Sequence, residues 1–272
     1  MRPGDDEVMP PAHGAGCYVY AVVAGAATDV RGMPGIEPGG PVDAVTVGDL
    51  TAVVSAVDLD AMRDGGATTD LAEDSWLARA VRRHEQVVLA AFRSAPTVPM
   101  RFGIVHADCD SVEKLLTAHG AELRAELARI GASAEWNLKA YADRDVLAAM
   151  AGDDDDGVGK AADSGRGYLL RERARREAHA RAGDTIRETA TTLVDRVSSV
   201  ARELVPLPIG DDESRRGVVA AACLVDRDEG QRLTSVVESY ADTAGPRGVS
   251  VELTGPWPPY HFTTLRLEAR NG

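Results

Sequence analysis

Large aromatic side chains are scarce in this chain of 272 residues, with Phe, Tyr and Trp together making up 4% of it. A core built under that constraint must rest on Val, Leu, Ile and Ala, and the 44% hydrophobic content supplies them. Cysteine is scarcer still. Cys17, Cys109 and Cys223 are odd in number, far apart and set in apolar or strand-like contexts. That pattern suits reduced packing residues better than a disulfide framework or a zinc site, and no redox role is expected of them. Positive charge is also in deficit: 30 Lys and Arg against 43 Asp and Glu give a net charge of −13, which argues against a general nucleic-acid binder. No run approaches the roughly 18 apolar residues of a membrane span. The opening "MRPGDDEVMPPAHGAG" lacks the apolar centre of a signal peptide, so a cytoplasmic protein is expected, with residues 1–16 disordered.

Catalytic signatures are absent as well. "GDDDDG" places Gly152 where a calcium loop needs its first carboxylate, so a solvated acidic loop is expected over 151–167. "GVGK" followed by Ala lacks the spacing and the hydroxyl of a phosphate-binding loop. His84-Glu85 has no second His four residues on, and His84 falls on an apolar stripe, where a structural histidine is expected. The other histidines form no ligand-spaced pair, and Cys109 near His106 has no motif around it. No catalytic residue, cofactor or metal site is expected.

What is present reads as an α+β protein of two domains. "CYVYAVVAG" is a buried strand by composition, and Gly48-Asp49 separates two β-rich runs as a type II′ hairpin would. Leu77, Val81, His84, Val88 and Phe92 recur at helical spacing within 71–93. "TVPMRFGIV" reads as a strand in which Pro99 marks an edge or a bulge. A helix should run from Asp110, with Glu113 completing a capping box, to Gly131. These elements form an N-terminal α/β domain at 17–134. From 135 to 272 the order is β-α-β-α-β, with one more short strand at "LVPLPI", and a ferredoxin-like domain is the economical topology. Its long, partly coiled-coil-like helix spans 168–204, with a seam of Ile186, Ala190, Leu193, Val197, Val200 and Leu204 beyond a charged, Ala-rich first half. The next helix is expected to start at Asp226, with Glu229 three residues on.

Two stretches have no catalytic explanation. "VPMRFGIV", containing Arg101, Phe102 and Gly103, and "LTGPWPPYHF", containing Gly255, Pro256, Trp257, Pro258, Pro259, Tyr260 and Phe262, resemble corresponding segments of the gas vesicle protein F/L family. "YVYAVV", "HEQVV", "EWNLKAY" and "SGRGYLLRERARREA" look like further family stretches in the family's order, so the resemblance covers roughly Cys17 to Leu265. It implies an accessory or minor structural protein of gas vesicles, acting with the apolar major shell protein and with other accessory proteins as chaperone, nucleator or wall component. No cofactor, nucleic acid or lipid membrane is implied. The F and L branches stay open, as does the alternative of an enzyme on a ferredoxin-like scaffold.

The aromatic string has two physical readings. Its prolines stiffen an extended path, so Trp257, Tyr260 and Phe262 can plug a crevice between the domains or face a partner at little further entropy cost. The expectation is burial for Trp257, beside the strand end, and partial exposure for Tyr260.

Overall fold

The computed structural model describes residues 15–36, 40–59, 62, 75–146, 165–211 and 214–265. The chain divides into two compact units, Met1–Ala132 with Pro258–Gly272, and Ser133–Trp257. This departs from the sequence reading at both borders: the second unit begins at Ser133, and the described residues from Pro258 onward group with the first unit.

The first unit is a five-stranded sheet with β1 (Ala15–Ala24) at its centre. β2 (Val42–Val47) and β3 (Leu50–Asp58) form the expected hairpin, Val47 opposite Leu50, with Gly48 at φ +63° as a primed turn requires. β3 pairs antiparallel with β1, whose other side carries β4 (Thr97–Pro99) and β5 (Val105–His106). The expected single strand over "TVPMRFGIV" is therefore two short ones. The ladder breaks after Pro99, and the chain loops through Arg101–Gly103 before rejoining β1.

Helix α1 (Trp76–Ser94) starts where the Ser75 hydroxyl accepts the Ala78 N–H at 3.1 Å. It buries Ala80, His84, Val87, Val88, Ala91 and Phe92. Leu77 and Val81, read as core from spacing alone, are half-buried. The expected helix over 110–130 is two, α2 (Cys109–Ala118) and α3 (Gly120–Ile130), broken at His119 (φ −107°, ψ 15°). Its cap is Asp108 rather than Asp110, with the carboxylate accepting Ser111 N–H at 2.7 Å. Tyr18, Tyr20, Val23, Val53, Val57, Ala80, Val87 and Ala91 share one core cluster.

The second unit runs β6 (Ser133–Asp143), α4 (Gly165–Ser198), β7 (Glu203–Pro206), β8 (Arg215–Asp226), α5 (Gly230–Ala244) and β9 (Val249–Trp257). Its antiparallel sheet has the order β7-β8-β6-β9. Leu138, Ala140 and Ala142 of β6, Cys223 and Val225 of β8, Leu193 and Val197 of α4, and Leu233 and Val237 of α5 meet in one core. The helix expected to reach residue 204 stops at Ser198: Val200 is buried in the following turn, and Leu204 lies in β7. In its first half Arg173, Arg176, Glu177 and Ala180 are exposed, whereas Ile186, Ala190 and Val194 lean on the core. The Tyr240 hydroxyl of α5 donates to the Thr189 carbonyl at 3.0 Å, tying the two helices together. The capping box expected at Asp226 does not form; a 3-10 turn, Arg227–Glu229, leads into α5 without a side-chain cap. The acidic run at 151–164 lies outside the described residues.

Candidate functional site

The two motifs singled out in the sequence lie about 150 residues apart, yet part of each meets at one histidine in the first unit. His84 is 2% exposed. Its Nε2 lies 3.1 Å from the Met100 carbonyl, which can only accept, so Nε2 carries the proton. Nδ1 is then an acceptor, and the Tyr18 hydroxyl donates to it at 2.9 Å. The Tyr18 oxygen in turn accepts the Gly103 N–H at 3.0 Å. Every polar atom in the chain Gly103–Tyr18–His84–Met100 thus has a defined role, as burial demands. Burial pushes His84 down to about 4, against the weaker upward pull of the Met100 carbonyl, and it pushes the Tyr18 hydroxyl up. Both groups are neutral at neutral pH, and proton transfer between them is opposed from both sides.

Around this chain of bonds the scarce aromatics gather. Tyr20 stacks on His84 at 5.8 Å, Phe102 meets its edge at 5.7 Å, and Tyr260 lies 6.5 Å from it with its hydroxyl 3.4 Å from Nε2. Gly103 adopts φ +92°, which turns its N–H onto Tyr18 and which a side chain would oppose. Arg101 is exposed. The sequence motif thus resolves into one outward cation, one ring in the cluster and one backbone donor.

The C-terminal segment is fixed to the same unit by a second polar knot. Glu126 of α3, 5% exposed, accepts the Thr264 N–H at 2.6 Å and Arg129 Nη2 at 3.0 Å, while Arg129 also donates to the Phe262 carbonyl. Burial alone would raise the Glu126 carboxyl; the Arg129 and Thr264 bonds outweigh it and hold the group below its usual range. Phe262 is 2% exposed, and Pro258 and Pro259 are buried. Sequence reasoning missed Tyr18, Tyr20, Glu126 and Arg129 as parts of this arrangement. One signal was available, since Glu126 sits on the apolar stripe of Leu123, Leu127 and Ile130.

The front half of the string belongs to the second unit. Gly255 does not end the strand as a sharp turn would. β9 continues through a bulge, with Asn137 opposite Thr254 and Glu135 opposite Trp257. Gly255 holds φ +150°, and a Cβ there would stand 2.9 Å from the Trp136 ring and from the Glu135 carbonyl oxygen. Pro256 is exposed and Trp257 is 42% exposed. The burial of Trp257 expected beside the strand end therefore does not occur. The bulge after Thr254 instead changes which face of the sheet the following residues present. Trp257 and Ile209 are the exposed large hydrophobics among the described residues, where no group of three His, Cys, Asp or Glu side chains could hold a metal and no helix is long and apolar enough to cross a membrane.

Comparison with known proteins gives the context for this geometry. Gas vesicle protein L of a Streptomyces species is 31% identical over 267 residues, covering 92% of this chain and 94% of its own. Gas vesicle protein L1 of Halobacterium salinarum is 28% identical, covering 91% and 90%. Among solved structures, gas vesicle protein GvpF of an Anabaena species has a TM-score of 0.67 at 19% identity, covering 93% of this chain and 99% of that one. GvpF of Microcystis aeruginosa has a TM-score of 0.65 at 18% identity, covering 92% and 99%. At such identities the likeness concerns the mixed helix-and-sheet fold alone. The model of the gas vesicle synthesis protein GvpL/GvpF family matches residues 16–264, and the chain belongs to that family, whose membership supports a role in gas vesicle formation.

Proposed function

We propose that this protein is a gas vesicle accessory or minor structural component that binds the apolar major shell protein, together with other accessory proteins, and supports vesicle assembly at the vesicle in the cytoplasm. Family membership supports the setting, and the exposure of Trp257 carries the docking reading. An indole held at the end of a paired strand offers a large apolar contact at small entropy cost, the usual character of an interface anchor. The second unit is read as a ferredoxin-like sandwich, a reading supported by its order β-α-β-β-α-β and its sheet order β7-β8-β6-β9. On this reading the protein is not an enzyme, and the alternative is catalysis on the same scaffold.

The test is co-expression of shell protein with the wild-type chain, Trp257→Ala or Trp257→Asp, followed by pull-down and by measurement of soluble shell protein. The expected result is at least a roughly tenfold loss of retention, as for an interface hot spot, in a variant whose thermal midpoint barely moves. A folded Trp257→Asp chain that retains shell protein as well as the wild type would refute docking through this residue.

A further inference from the structure

The sequence separates Cys17 and Cys109 by 92 positions, but the fold of the first unit places their sulfurs 2.9 Å apart. All three cysteines are free thiols, and two of them are close neighbours. β1 carries Cys17 to a point opposite His106 of β5, and the short link through Asp108 returns the chain as α2, with Cys109 its first residue. The two thiols differ sharply in access: Cys17 is 1% exposed, whereas Cys109 is exposed. Cys223, in the other unit, is buried.

We propose that Cys17 and Cys109 are an oxidisable dithiol, a modification site at which a small neutral peroxide converts the pair into an intrachain disulfide joining β1 to α2. The step divides between the two sulfurs by access. The Cys109 sulfur, giving up its proton, attacks the nearer oxygen of hydrogen peroxide; an S–O bond forms, the O–O bond breaks, and the leaving hydroxide takes up that proton as water. The Cys17 sulfur then attacks the Cys109 sulfur, forming the S–S bond and breaking S–O; the second water carries off the hydroxyl and the Cys17 proton. Two thiols lose two electrons and two protons, and one peroxide becomes two waters.

Geometry favours closure over further oxidation. The sulfurs need to approach by less than about 1 Å to reach bonding distance, and Cys17, 1% exposed, is shielded from solvent. Burial raises the Cys17 thiol, with Cys109 and Asp108 adding to the effect, which leaves it a poor nucleophile toward peroxide itself. The flanking Asp108 and Asp110 place negative charge around Cys109, so an anionic oxidant such as glutathione disulfide should react more slowly than neutral peroxide.

The experiment treats the full-length reduced protein with hydrogen peroxide and, separately, with glutathione disulfide, then counts thiols and maps peptides. With peroxide, free thiols should fall from three to one, with loss of two hydrogens by intact mass, a Cys17–Cys109 linked peptide, and Cys223 still reduced. Because Cys17 lies in the core, Cys109→Ser is the informative variant: it changes an exposed side chain and should leave both remaining thiols unreacted over the same period. Sulfinic acid on Cys109 with Cys17 still free, disulfide-linked dimers through Cys109, or peroxide loss of the Cys17 thiol in Cys109→Ser would each overturn the proposal.

Discussion

Replacing His84 with glutamine should flatten the acid limb of the first unit's stability. An unfolded histidine titrates near 6.5, whereas burial pushes His84 down to about 4. Between these values the unfolded chain binds a proton that the folded chain refuses, so stability is complete above about pH 6.5 and drains away as the pH falls toward 4. The full gap corresponds to about 3 kcal/mol, of which about 2.5 kcal/mol is lost by about pH 4.5. The carboxylates held below their usual range, including Asp43, Asp49, Asp108 and Glu126, also weaken the fold in acid, but they do so equally in both proteins and cancel in the difference. In His84→Gln the new side chain has an amide able to donate toward Met100 and accept from Tyr18, so the variant loses ring packing at every pH but carries no titration. The assay is urea unfolding at about pH 7.5 and about pH 4.5, with hydrogen exchange on β1 and α1 peptides so that the first unit is followed by itself. Wild type should lose about 2.5 kcal/mol more than the variant between the two conditions, roughly 1 M in urea midpoint. Equal losses in the two proteins would refute the view that His84 is held neutral by burial.

Phe262→Ala should destabilise the first unit by about 3–5 kcal/mol, because the ring is 2% exposed; calorimetry showing a loss under about 1 kcal/mol would contradict its anchoring role. Gly103→Ala places a side chain at φ +92° and should cost about 1–3 kcal/mol, with faster hydrogen exchange through the 101–105 loop as the accompanying sign. Ser75→Ala removes the acceptor of the Ala78 N–H and should cost about 1 kcal/mol in urea unfolding, while a Ser75→Asp chain should keep most of the stability.

Legibility in the sequence followed the range of the interaction. The β2–β3 hairpin and the His84, Val88 and Phe92 part of the apolar face of α1 are local patterns, and both appear where turn chemistry and periodicity put them. The split of the expected 110–130 helix at His119 was hidden because Leu116, Leu123, Leu127 and Ile130 keep an apolar period across the break. The seam of α4 carried through Leu204 for the same reason: Leu204 is apolar on a helix or in β7, and the pairing of Leu204 with Cys223 decides between them. Cys17 and Cys109 show the limit most plainly, since nothing at either position announces the other. Their contact exists because β1 and the segment from β5 into α2 converge, which is a property of the sheet.

The aromatic string also changes meaning once its two ends are separated. Gly255 to Trp257 are held by the β9 ladder and by the close approach to Trp136, while Pro258 to Phe262 are held by buried prolines, the Tyr260–His84 contact and the Glu126–Arg129 knot. Trp257 therefore stands at the end of the β9 ladder, and the residues that follow it in the chain are anchored within the first unit. Ordering a free side chain and its backbone at an interface costs about 0.5–1.5 kcal/mol per rotamer-rich group. A tryptophan whose backbone is already held in a strand ladder has met part of that cost during folding. Releasing the buried half, as Phe262→Ala or Glu126→Gln would, frees the chain that follows Trp257 and should weaken the proposed shell-protein retention even though neither side chain is exposed. Undiminished retention by a folded Glu126→Gln chain, with hydrogen exchange showing residues 258–264 released, would separate the two halves and leave Trp257 to act through its own strand alone.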